Sequence, residues 1–62
     1  MKNNKLKEAR ENAGLTQKQV AEAVGISARC YQYYEIGLKR PSVDVAIRIA
    51  QKLNKTVEKL FT

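Results

Sequence analysis

A short stretch near the middle of the chain carries side chains that can read base edges in duplex DNA. Arg29, Gln32 and Tyr33 supply a guanidinium, an amide and a phenol, and Ala28 supplies a methyl group. On an α-helix, at about 100° per residue, these residues and Ile36 fall within about 140° of one side. A major groove admits an α-helix whose polar groups hydrogen-bond to base edges. The stretch therefore predicts a base-contacting face.

The opposite side of the same predicted helix is the side that could be buried. Cys30, Tyr31, Tyr34 and Glu35 fall there. The closely spaced tyrosines could also form a stacking platform for single-stranded nucleic acid. The helical arrangement argues against such a platform, because Tyr31 and Tyr34 face inward and only Tyr33 faces outward.

Alternative roles remain open for several of these side chains. Arg29 could contact a phosphate without reading a base, and Gln32 could bind either adenine or a phosphate. Ala28 could meet a thymine methyl group. Cys30 borders the inner face, where a lone cysteine is typically an inert small hydrophobe, and a redox role is the alternative.

A tight turn between two predicted helices must position the base-contacting face. Thr16, with Gln19 three residues later, is a capping-box pattern that starts the second predicted helix. Gly25 follows its end, where a residue that tolerates positive φ is favoured, and Ser27 can cap the third helix. Residues 16–36 are therefore predicted to form a helix-turn-helix, with the third helix in the major groove.

The motifs in and around this segment resemble those of one family. In the sequence, LTQKQVAEAVGIS is followed by YxxYExG and then by KRP. Together and in this register they resemble the phage repressor/Cro-type (XRE-like) helix-turn-helix regulators, over roughly residues 6–61. The matching positions are Leu15, Thr16, Gln17, Ala21, Gly25, Ile26, Ser27, Tyr31, Tyr34, Glu35, Gly37 and Pro41.

The resemblance implies both a fold and a function. The implied fold is a compact, all-α, lambda-repressor-like domain of five helices, with the helix-turn-helix at the second and third helices. The implied function is sequence-specific transcriptional regulation on double-stranded DNA, and the expected case is a repressor that binds a palindromic operator as a homodimer. An antitoxin or a restriction–modification controller of the same fold is an alternative, as is a protein-interaction module that has lost DNA binding.

Phosphate contacts are expected on both sides of the third helix. Gln17 and Lys18 stand at the start of the second helix, where backbone N–H groups and the macrodipole favour a phosphate. For Lys18, simple solvent exposure is the alternative. The resemblance places Lys39 and Arg40 beside the DNA backbone, and Ser27 is expected to contact it at the turn. Such contacts fix register but carry no sequence information.

Two charges occupy positions where apolar residues are expected. The first predicted helix covers residues 5–13, with Leu6, Ala9 and Ala13 on its apolar stripe. Arg10 lies on the same stripe. Glu35 lies at the inner margin of the third helix. Because a charge near a core needs a partner, we predict an Arg10–Glu35 ion pair with a structural role, and the resemblance supports this pair.

Two further helices complete the predicted fold. Ser42 can cap the fourth helix and Thr56 a short fifth one. Apolar residues cover about 200° of the fourth helix, which is wider than a small core needs. This helix is therefore either the central buried element or part of a contact with a second subunit. On the fifth helix, Val57, Leu60 and Phe61 are the predicted dimer interface, with closure of the monomer core as the alternative for Phe61.

Length and composition limit the fold and exclude several kinds of site. A chain of 62 residues allows one domain, over residues 1–62, and its net charge of +6 favours a polyanionic partner over a merely soluble surface. A single cysteine allows no internal disulfide, and the absence of histidine excludes Cys/His zinc sites and histidine acid–base catalysis. We expect no metal, no cofactor, no small-molecule ligand and no enzymatic activity.

The start of the chain bears on location. Residues 1–5 are polar and without periodicity, which predicts a frayed end. The sequence has neither a secretory signal pattern nor a run long enough to cross a bilayer. We therefore expect a cytoplasmic protein that associates with the nucleoid when bound to DNA, and no membrane partner.

Overall fold

A computed structural model describes residues 3–61, which form α-helices joined by short turns. None of these helices has the length and apolar character needed to cross a membrane. The predicted all-α fold with five helices is confirmed over this part of the chain. The helices are α1 (Asn4–Asn12), α2 (Gln17–Val24), α3 (Ala28–Ile36), α4 (Val43–Leu53) and α5 (Val57–Phe61).

Side-chain caps start the helices that build the helix-turn-helix. The Thr16 hydroxyl accepts a hydrogen bond from the Gln19 backbone N–H at 3.0 Å, and the Gln19 side chain accepts one from the Thr16 N–H at 2.8 Å. Ser27 accepts from the backbone N–H of Cys30 at 3.1 Å and caps α3. These bonds satisfy N–H groups that a helix start leaves without an intrahelical partner, and they confirm the predicted starts of α2 and α3.

The turn between α2 and α3 depends on Gly25. This residue has φ of 82° and ψ of 30°, in the left-handed region that favours glycine. The backbone N–H of Ile26 donates to the carbonyl of Ala21 at 3.0 Å, which closes the end of α2. Ala21 itself is buried, and α2 packs mainly against α3 and α4. The turn therefore delivers the chain into α3 within three residues of the end of α2.

The core draws one large side chain from each of four helices. The largest fully buried side chains are Leu6, Val20, Tyr31 and Ile49. The Tyr31 and Tyr34 rings meet edge to face, with centroids 6.5 Å apart and an interplanar angle of 78°. The predicted inward orientation of both tyrosines is confirmed.

Ala13 is exposed, because it is the C-cap of α1 rather than part of its last turn.

The start of the described chain is anchored instead of frayed. Asn3 caps α1 by accepting from the Leu6 backbone N–H at 3.0 Å, and its side-chain amide donates to the Leu60 carbonyl at 2.6 Å. Its backbone N–H donates to the Glu35 carbonyl at 2.8 Å. The frayed end predicted for residues 1–5 is therefore wrong from Asn3 onward, because these three bonds tie it to α1, α3 and α5. The first two residues lie outside the described part.

Helix α5 carries the predicted interface residues. Leu60 is only 2% exposed and lies in the core of the protomer. Little of its side chain is therefore left to bury against a second protomer, and its assignment to a dimer interface stays a prediction. Val57 and Phe61 are half-buried and pack against the same core, so their contact with a second protomer stays a prediction.

Helix α4 is buried on one side only, so the contact with a second subunit that its wide apolar surface left open stays a prediction. Ala46, Ile49 and Leu53 are buried on its inner side. On its outer side, Val43 is 75% exposed and Ile47 is 42% exposed. The helix is therefore a core element that also carries apolar side chains in contact with solvent.

Candidate nucleic-acid interface

The outer face of α3 is accessible, as its helical spacing predicts. Ala28, Arg29 and Gln32 are exposed, and Tyr33 is half-buried at the edge of the same face. The buried tyrosines anchor the inner side of the helix in the core, and this fixes the backbone that carries the outer side chains. The structure thus brings all four predicted base-contacting residues onto one surface, with Ile36 exposed at its end.

The loop after α3 folds back onto this surface. The Tyr33 carbonyl accepts hydrogen bonds from the backbone N–H groups of Leu38 at 2.9 Å and Lys39 at 3.4 Å. The ammonium of Lys39 lies 5.4 Å from the centroid of the Tyr33 ring. A cation over an aromatic face gains about 0.5–1 kcal/mol at an exposed site. The predicted phosphate contact, Lys39, and the predicted base contact, Tyr33, therefore interact directly with each other.

The predicted ion pair between α1 and α3 is present. The Arg10 Nε donates to Glu35 Oε2 at 2.7 Å and its Nη2 to Oε1 at 3.4 Å. The two side chains are 11% and 4% exposed. The Arg10 Nη1 also donates to the Leu15 carbonyl at 2.8 Å. Because Leu15 precedes α2, the guanidinium joins the entrance of the helix-turn-helix to its third helix.

Both charges of this pair are stabilised. Burial favours the neutral form of Glu35, but hydrogen bonds from Arg10 and Gln17 oppose it and hold the pKa of Glu35 below its usual value. The pKa of Arg10 is raised, chiefly by its hydrogen bond to the carboxylate. Burial, followed by the neighbouring Glu35 carboxylate, raises the pKa of Tyr31. The pair therefore stays ionised at neutral pH.

Acidification is expected to destabilise the protein through Glu35. The folded carboxyl has a pKa below its unfolded value, so the unfolded chain binds the proton first as pH falls. The stabilisation is complete above the ordinary glutamate pKa of about 4.3 and is lost as pH falls through the lower folded value. Denaturant unfolding across this pH range measures the loss. Glu35→Gln should be less stable at neutral pH and should lack this part of the pH dependence. Equal pH dependence in both proteins would contradict the assignment.

Gln17 contacts the ion pair as well as occupying the first turn of α2. Its side-chain amide donates to Glu35 Oε1 at 3.0 Å. An amide carries two N–H groups, so this bond leaves a second donor, and the predicted phosphate contact of Gln17 stays a prediction. No sequence spacing rule connects these two positions, so the sequence alone does not predict the bond.

The remaining predicted phosphate contacts lie at the surface. Lys18, Ser27, Lys39 and Arg40 are exposed. The oxygen of Ser27 is occupied as the cap of α3, but its hydroxyl hydrogen can still donate to a phosphate.

Cys30 forms a side-chain hydrogen bond within its own helix. Its thiol and the Tyr34 hydroxyl, one turn further along α3, form a hydrogen bond at 3.2 Å. This hydrogen bond, followed by burial, raises the pKa of Tyr34 to about 12. In residues 3–61, no group of three or more His, Cys, Asp or Glu side chains could hold a metal ion.

Comparison with known proteins identifies the family of this fold. The family model described as Helix-turn-helix matches residues 6–60. The chain belongs to the XRE-type helix-turn-helix family. Its members are DNA-binding transcriptional regulators, and so is this protein. The predicted resemblance is therefore confirmed.

The relatives of this XRE-type protein differ widely in length. It is 33% identical over 57 residues to an uncharacterized HTH-type transcriptional regulator from Archaeoglobus fulgidus, covering 92% of this chain and 81% of that protein. It is 41% identical over 49 residues to a protein from Methanocaldococcus jannaschii named as an HTH-type transcriptional regulatory protein. That match covers 79% of this chain but spans only 15% of the longer protein.

A solved structure shares the fold of this XRE-type protein. The restriction–modification controller protein C.AhdI from Aeromonas hydrophila superposes with a TM-score of 0.86 at 25% sequence identity. The match covers 95% of this chain and 89% of C.AhdI. The similarity therefore extends over nearly all of both chains.

Proposed function

We propose that this XRE-type regulator is a repressor that binds a palindromic operator as a homodimer, with α3 of each protomer in successive major grooves. The supporting observation is the two-sided packing of α3. Tyr31 and Tyr34 are buried in the core, while Arg29 and Gln32 remain exposed on the opposite side. Two-fold symmetry would set the half-sites about 34 Å apart. We place the protein in the cytoplasm, associated with the nucleoid when bound.

Each exposed residue of α3 has a role suited to its chemistry. Arg29 is the main base reader, because its guanidinium can bind guanine O6 and N7 together. Gln32 can bind adenine in the same bidentate way, and Ala28 can contact a thymine methyl group. Tyr33 adds a phenol whose ring is covered by Lys39. The phosphate contacts in this proposal are Gln17, Lys18, Ser27, Lys39 and Arg40.

The basic loop after α3 gives the proposal a test that is independent of sequence. Replacing both Lys39 and Arg40 with alanine should weaken binding to all duplexes to a similar degree. Each lost phosphate contact should reduce the slope of log K against log salt concentration by about 0.9. Fluorescence anisotropy at several salt concentrations, with two unrelated duplexes, measures both effects.

A matched pair of lysines elsewhere provides the control for this loop. Lys52 and Lys55 are exposed at the far end of α4, and replacing both with alanine removes the same charge. This control should bind DNA with nearly the original salt dependence. If it lost as much affinity as the loop variant, the loop would have no special role in phosphate binding.

The operator can be found directly. Selection of bound sequences from a random pool of duplex DNA should enrich an inverted repeat whose half-sites lie about one helical turn apart. A single unpaired half-site would count against the dimeric operator, and no enrichment at all would count against sequence-specific binding.

The similarity to C.AhdI favours a second candidate function. That protein is a restriction–modification controller, and its superposition covers 95% of this chain. A controller would use the same α3 surface, so the two functions differ in the circuit and not in the interface. Restriction and methylation genes beside the coding sequence would favour the controller.

A further inference from the structure

The outer face of α4 carries apolar side chains that the core of the protomer does not use. Val43 is 75% exposed and Ile47 is 42% exposed. They are four residues apart, so they lie on one side of the helix. Asp44 comes directly after Val43 and Arg48 directly after Ile47, and both charged side chains are also exposed. An apolar pair therefore lies beside an acid and a base.

The charge balance of this face suits a second copy of the chain. The protein carries a net charge of +6, which opposes self-association over most of its surface. Residues 43–48 carry one acid and one base, so this segment is neutral. In the described protomer, neither Asp44 nor Arg48 forms an ion pair. Two copies can therefore meet here without the repulsion that basic surfaces would produce.

We propose that α4 of two protomers packs antiparallel across a two-fold axis, with Val43 and Ile47 forming the seam of the dimer. If the two-fold axis passes beside residue 46, Asp44 lies opposite Arg48 of the partner subunit. The two-fold symmetry then forms the same ion pair a second time. The inference rests on the dimer of the proposed function and assigns its surface. It places the contact on α4 and not on the half-buried side chains of α5.

The size of the protomer limits how strong this contact can be. A standard interface buries about 800 Å² on each partner. The accessible surface of the protomer is 4343 Å², so such an interface would take roughly a fifth of it. A seam of two aliphatic side chains with flanking ion pairs lies at the small end of this range. The dimer is therefore expected to dissociate on dilution, and operator DNA stabilises it by holding both protomers.

The apolar seam is tested without DNA. Sedimentation equilibrium should show a monomer–dimer equilibrium for the unmodified protein, and Val43→Lys/Ile47→Lys should raise its dissociation constant by about 100-fold or more. Thermal unfolding checks that the variant folds, as the exposure of both side chains leads us to expect. Phe61→Ser serves as the matched variant on α5, with its folding confirmed by the same thermal unfolding because Phe61 packs against the core, and it should leave the equilibrium nearly unchanged. A dimer disrupted by Phe61→Ser but not by the α4 variant would overturn the proposal, as would an unmodified protein that stays monomeric.

A charge exchange tests the geometry of the seam. Asp44→Arg and Arg48→Asp should each weaken the dimer by about tenfold, because each creates like-charge pairs across the axis. The double variant Asp44→Arg/Arg48→Asp should restore it, since the pairs are then reversed but complementary. Failure of the double variant to recover would refute the antiparallel arrangement.

DNA binding separates this inference from the function on which it rests. On a duplex with one half-site, the folded seam variants should bind as well as the unmodified protein, while cooperative binding to the palindrome is lost. If neither the variants nor the unmodified protein prefer any DNA sequence, the proposed function is wrong. The sedimentation result still shows whether α4 forms the dimer contact.

Discussion

Glu35→Ala is expected to lower the free energy of unfolding by about 3–5 kcal/mol. The substitution leaves the Arg10 guanidinium, which is 11% exposed, without its counter-ion. It also removes the acceptor of the Gln17 amide. A chain of 62 residues has a total stability of about 3–9 kcal/mol. The variant should therefore lose at least about a third of the stability of the protein.

A double variant separates the cost of an unpaired charge from the worth of the pair. Arg10→Met/Glu35→Leu removes both charges and keeps apolar volume, and such replacements are often neutral or stabilising. It should be clearly more stable than Glu35→Ala in urea unfolding at neutral pH. A loss below about 1 kcal/mol in Glu35→Ala would mean that water reaches Arg10 and that the pair contributes little.

Arg29→Ala is expected to weaken binding to the preferred operator by about 1–3 kcal/mol, or roughly 5–150-fold per half-site. Binding to random DNA should fall much less, because only one charge near the backbone is lost. The side chain is exposed, so the stability of the fold should change by no more than about 0.5 kcal/mol. Competition binding with the selected operator and a scrambled duplex measures the ratio of the two affinities.

Arg29→Lys is the matched control for base reading. Lysine keeps the charge but lacks the planar fork that binds two acceptors on guanine together. It should keep nearly all of the affinity for random DNA while losing much of the preference for the operator. Equal losses on the two duplexes in Arg29→Ala would show that Arg29 contacts only phosphates.

The helix-turn-helix was predictable because its signals are local. The bonds between Thr16 and Gln19 span three residues, and the φ of Gly25 is a property of one residue. The inward side of α3 followed from helical spacing alone. The ion pair of Arg10 and Glu35 could also be predicted, because each charge lies where its helix needed an apolar residue.

Contacts between distant parts of the chain were not predictable in this way. Asn3 bonds to Leu60 across 57 positions, and no periodicity signals such a bond. The apolar width of α4 left open a fully buried helix or a contact with a second subunit, and only the packed structure shows that Val43 and Ile47 are the exposed members. Helix α5 is too short, at five residues, for spacing to separate buried Leu60 from half-buried Phe61.

The contact of Asn3 with the last helix also affects biosynthesis. During translation the α1, α2 and α3 segments are made well before residue 60, whose carbonyl Asn3 needs as its acceptor. A nascent chain that ends after α3 carries the whole helix-turn-helix but lacks α4 and α5, which complete the core. Ribosome-bound chains and fragments from premature termination should therefore be poor competitors for DNA. Folding of the helix-turn-helix therefore depends on synthesis of the chain through α5.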